Sequence, residues 1–128
     1  MKMADRINEI KKYFGELEQV EKETKGRTLF YAKSMLLFLI INSTISVAEE
    51  LITIKKLPVP ANYNDIFDIL RDNKVIDPDL CKDMKILIKI RNILAHEYET
   101  IDEKEIERLG KKISAVKNFI KVAAKQAV

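Results

Sequence analysis

At 128 residues the chain is long enough for one hydrophobic core, and 47% hydrophobic with 34% charged residues read as a soluble globular domain over 1–128. Three glycines and three prolines in a chain dominated by Ile, Leu, Lys, Glu and Ala favour long helices over sheets. The net charge of +3 permits a nucleic-acid partner without requiring one, while a single cysteine and a single histidine exclude an internal disulfide and a protein-only zinc site.

The first predicted helix, about Ala4 to Glu23, carries Ile7, Ile10, Phe14, Leu17 and Val20 in steps of three and four. Its charged opening, "MKMADRINEIKKYF", lacks the apolar stretch that secretion needs. Gly26 breaks it. A second helix, about Thr28 to Lys55, is apolar on most of its circumference and should be the central one. Its greasiest run, Met35 to Ile41, is seven residues, against the roughly 20 that a membrane span needs. Pro58 and Pro60 then forbid regular structure. A short third helix covers about Tyr63 to Asp72, with Ile66, Phe67 and Leu70 inward.

The fourth helix starts at Asp77, a capping residue, with Pro78 at its first position, and runs to about Tyr98. The fifth begins near Thr100 or Asp102, both with capping spacing to a glutamate, and turns Ile106, Leu109, Ile113, Val116 and Ile120 inward. The predicted fold is all-α: an antiparallel bundle of four long helices plus one short one.

The fourth helix carries the only histidine, His96, in "KILIKIRNILAHEYETID". On a wheel, Ile86, Leu87, Ile90, Ile93 and Leu94 fall between about 80° and 200°, and read as the core face. Lys85, Lys89, Asn92 and His96 form a polar stripe about 60° wide. Met84, Ile88, Arg91 and Ala95 make a third strip outside that core arc. This apolar strip predicts a homodimer through the fourth helix, with Arg91 and His96 bordering a groove that Ala95 leaves open. An arginine, a histidine and two lysines suit an anion.

These residues resemble a known family. "RNILAHEY" is similar to the Arg-(four residues)-His motif of HEPN domains, with the tyrosine that follows in HepT-like toxins. The preceding "ANYNDIFDILRDNKVIDPDL" resembles the same family's tyrosine, short helix and "IDP" segment, so the likeness spans essentially the whole chain. The family often has an acidic residue near Asn42; this chain offers Glu49 and Glu50 further on.

The resemblance implies a dimeric, metal-independent endoribonuclease with a composite site at the dimer interface and no cofactor. In such a site His96 would act as base or acid, since imidazole has a reference pKa of about 6.5. Arg91 would clamp phosphate oxygens, Asn92 would orient the imidazole or the phosphate, and Lys85 and Lys89 would hold flanking RNA backbone. The resemblance also implies a MntA-like nucleotidyltransferase antitoxin that silences the toxin by transferring AMP to Tyr98. Tyr63 and Cys81 read as packing residues. A toxin ribonuclease in the cytoplasm is therefore the leading expectation. A non-catalytic module that binds a nucleotide or a nucleotidyltransferase, and a purely structural dimeric bundle, are the alternatives.

Overall fold

In the computed structural model, which describes residues 2–96 and 101–126, the apolar stripes in the sequence become helices in the expected order. They are α1 (Met3–Glu23), α2 (Gly26–Ile54), α3 (Tyr63–Asp72), α4 (Pro78–His96), α5 (Glu103–Lys112) and α6 (Ser114–Gln126). No strand occurs among the described residues. The last two helices form one bent rod. Ile113 between them keeps αR backbone angles and donates its N–H to Leu109 at 2.9 Å, so the inward row from Ile106 to Ile120 is unbroken.

The turn from α1 to α2 uses Gly26 at φ 66°, a left-handed angle that costs glycine nothing. So short a link makes the two helices antiparallel, and the Ser43 hydroxyl donates to Glu9 at 3.0 Å across them. Glu9 also accepts from Tyr13 at 3.3 Å; burial, then this carboxylate, raises the phenol's pKa. Along its middle α2 is buried on most sides, from Leu36 through Ile52. It is long and apolar enough to cross a membrane, yet 61% of that window is buried inside the bundle. Its apolar character is that of a core helix.

Helix ends follow local chemistry. Asn62 accepts from the Asp65 N–H at 2.9 Å, Asp77 from Leu80 at 2.7 Å and Asp102 from Glu105 at 2.8 Å. The C-terminal ends of α2 and α3 are Schellman closures built on lysine: Lys56 at φ 55° and Lys74 at φ 60°. Leu57 donates to Ile52 at 3.0 Å and Val75 to Leu70 at 2.9 Å, tying each closure to the core.

The fourth helix is rotated from its expected setting. Met84 and Ile88, assigned to a partner-facing strip, are 0% and 1% exposed and belong to the core with Leu87 and Cys81. Ile86 and Ile93, assigned to the core face, are only half-buried. The buried arc therefore centres on the strip that ends at Arg91. The strip does not face outward, because α2, α3, α5 and α6 all pack around α4 and cover it.

Candidate functional site

Arg91 continues the buried arc of α4 at the end where the bundle opens, and so reaches inward. Its Nε donates to Asn42 Oδ1 on α2 at 2.7 Å, and one terminal nitrogen donates to Asn92 Oδ1 at 3.1 Å. The guanidinium carbon lies 5.2 Å from the Phe38 ring centroid and 5.3 Å from that of Tyr63. Two aromatic rings and two amides thus hold one cation, and two of its five N–H groups are used among the described residues. Phe38 and Asn42 are one turn apart on α2, and Tyr63 opens α3, so three helices meet on this side chain.

The polar stripe forms the wall of a second feature. An open groove of about 750 Å³ is lined by Asn64, Lys82, Lys85, Ile86, Lys89, Asn92, Ile93 and His96. Among the described residues three lysines and the imidazole line it and no carboxylate does, so this lining favours anions. Lys85 is partly neutralised, since its ammonium contacts Asp68 at 3.0 Å and Asp68 also pairs with Arg71 at 3.3 Å. Lys82 and Lys89 form no ion pair among the described residues. Asn92 joins the two features: its carbonyl accepts from Arg91 while the residue borders the groove that holds His96.

Four of the expected site residues, Lys85, Lys89, Asn92 and His96, thus share one groove, with Arg91 bonded to its rim. Ala95 does not lie between Arg91 and His96 in a common groove. It lines a separate apolar groove of about 400 Å³ with Phe30, Tyr31, Ser34, Met35, Phe38, Leu94 and Ile101. Tyr31 and Met35 there are 60% and 58% exposed. Tyr98, the expected AMP acceptor, and Glu97 and Glu99 lie outside the described residues.

Sequence reasoning missed Asn42, Phe38, Tyr63, Asn64 and Lys82. The acidic substitutes it offered, Glu49 and Glu50, lie about two turns along α2 from Asn42, the residue that meets Arg91. The four-residue spacing of Phe38 and Asn42 was the available signal. Cys81 is 1% exposed and donates to the Phe67 carbonyl at 3.5 Å; burial pushes its thiol pKa up, as befits a packing residue. No group of three or more His, Cys, Asp or Glu that could hold a metal occurs among the described residues.

The chain matches no curated protein. Solved structures share its fold. A tri-AMPylated HEPN toxin of Shewanella oneidensis in complex with an MNT antitoxin is 22% identical, with 95% of this chain and 97% of that chain covered at a TM-score of 0.85. A toxin-antitoxin structure with AMP-PNP is 20% identical, covering 96% and 99% at 0.83. YutE of Bacillus subtilis, a cytosolic protein of unknown function, is 25% identical, covering 92% and 87% at 0.74. The model of the family described as "Ribonuclease HepT-like" matches residues 3–123. This all-helical chain belongs to the HepT-like ribonuclease family.

Proposed function

We propose that the chain is a toxin-type endoribonuclease that cleaves RNA through the RNA's own 2′-hydroxyl, without a metal. The observation that carries this reading is the Arg91 clamp, which fixes a cation beside the groove of His96 and has three N–H groups that no described residue takes up. In the reaction an imidazole takes the 2′-hydroxyl proton as that oxygen bonds to phosphorus. The bond from phosphorus to the 5′-oxygen breaks, and an acid returns a proton to the leaving oxygen. The products are a 2′,3′-cyclic phosphate and a 5′-hydroxyl. Arg91 neutralises the charge that builds on the phosphoryl oxygens, and Asn92, fixed by Arg91, orients the groups at the rim. Lys89 and Lys82, with a smaller share from Lys85, hold the flanking backbone.

One His96 cannot be base and acid at once, so a homodimer that supplies a second imidazole completes the site. The apolar groove of Tyr31, Met35, Phe38, Leu94 and Ala95 is the surface for it, because it exposes large apolar side chains beside the clamp. The proposed antitoxin is a cytoplasmic MntA-like nucleotidyltransferase, which would move AMP from ATP to the Tyr98 phenol with release of pyrophosphate. An added nucleotide two residues from His96 would compete with RNA for the cationic groove.

The deciding experiment is RNA cleavage by purified protein in EDTA, wild type against His96→Ala. Activity that survives EDTA and falls by ~100-fold or more in the variant is expected. Activity restored only by a divalent ion would remove the metal-independent mechanism. Equal cleavage by His96→Ala would leave the chain as a binding module for nucleotide or nucleotidyltransferase.

A further inference from the structure

We infer that Tyr63 is a nucleobase-stacking subsite, which places one base of a single-stranded RNA next to the phosphate held at Arg91. The inference rests on the function proposed above and adds a residue and a ligand class to it. The ring stands at the first position of α3, and that end is pinned twice. Asn62 caps it at 2.9 Å, and the Ala61 N–H donates to Asp65 Oδ2, also at 2.9 Å. The Arg91 guanidinium lies over the ring, and the next residue, Asn64, lines the cationic groove. Tyr63 therefore stands where the clamp and the groove meet.

Packing does not account for this placement. The two rings at Arg91 differ: Phe38 is half-buried in the α2 surface, whereas Tyr63, at the first position of a capped helix, keeps 40% of its surface exposed. A ring that meets a cation and still keeps 40% of its surface exposed offers the flat, sequence-tolerant surface on which bases stack. Lys82 and Lys89, without ion pairs among the described residues, supply backbone contacts on the same side. Double-stranded RNA keeps its bases stacked inside the helix, so the occupant is single-stranded.

The test measures binding, with two probes of equal length: a 2′-O-methyl oligoadenosine, which cannot be cleaved, and an abasic phosphodiester oligomer. Tyr63→Leu should weaken oligoadenosine binding about tenfold more than it weakens binding of the abasic oligomer, and leave the salt dependence of binding unaltered. Tyr63→Trp should restore affinity, with its indole fluorescence quenched on binding. Equal loss for both probes would mean that Tyr63 only positions Arg91, and would overturn the subsite; so would unchanged affinity for both, or failure of Tyr63→Trp to rescue. Should wild-type protein bind neither probe, the ribonuclease reading itself falls. If it binds and only the Tyr63 effects are missing, the subsite alone falls.

Discussion

Arg91 shows how much one side chain can gain from where its helix stops. Charge alone does not define its place: Nε serves Asn42, a terminal nitrogen serves Asn92, and the carbon lies 5.2 Å and 5.3 Å from two ring centroids. Lysine offers the charge without the fork. Arg91→Lys should therefore cut RNA cleavage nearly as far as Arg91→Ala, both by ~100-fold, as for removal of one transition-state donor. Because Arg91 is only half-buried, either change should move folding stability by about 1 kcal/mol. Retention of a tenth or more of the activity in Arg91→Lys, measured by initial rates, would show that charge suffices. Arg91 and His96 were singled out by the resemblance to the Arg-(four residues)-His motif, whereas helix spacing alone put them on one groove that the structure does not form. Their supporting residues were not legible, since Asn42 and Tyr63 are remote in sequence and only tertiary packing brings them to the arginine.

Among the elements, α4 marks the boundary of what periodicity reveals. Met84, Ile86, Leu87, Ile88, Ile90, Ile93 and Leu94 put apolar residues around most of its circumference. Two different arcs are then nearly equal in hydrophobicity, and Leu87 and Ile90 belong to both. Neighbouring helices decide the outcome by covering Met84 and Ile88. By contrast, α1, α3 and the bent α5–α6 rod each carry one stripe, and their inward residues were readable. The bend at Ile113 was not, because it leaves the stripe in register. The Schellman ends were hidden too, as lysine occupies positions where glycine is the usual signal. Replacing Lys74 by glycine should relieve that left-handed angle and raise stability by about 1 kcal/mol. Urea denaturation would read this as a higher midpoint at unchanged slope. An unchanged or lower midpoint would mean that the lysine side chain contributes more than its backbone angle costs.

For the whole molecule, the two apolar surfaces of α2 and α4 have different destinies. Met84 is sealed in the core, whereas Met35 stands 58% exposed beside Arg91's aromatic shelf. Met35→Glu should leave the thermal midpoint nearly unchanged, convert a dimer to a monomer by light scattering, and abolish cleavage with it. Met84→Glu should unfold the chain by burying an unpaired charge. A Met35→Glu protein that is still dimeric would place the interface elsewhere. Silencing by a nucleotidyltransferase and ATP is separable from all of this: Tyr98→Phe should still cleave RNA but escape inhibition, as no acceptor oxygen remains. Continued inhibition of that variant would move the modified residue elsewhere.

The amide at Asn42 has a consequence for how the rate responds to acid. Had a carboxylate held Arg91, its protonation would loosen the guanidinium and add its own inflection to the low-pH side of the profile. Among the described residues, the groups in contact with Arg91 are Asn42, Asn92, Phe38 and Tyr63, and none is a carboxylate. These contacts to the arginine are thus indifferent to acid. Asn42→Asp would turn this indifferent contact into a titrating one, and a second acid-side inflection in the rate would appear where the wild type has none.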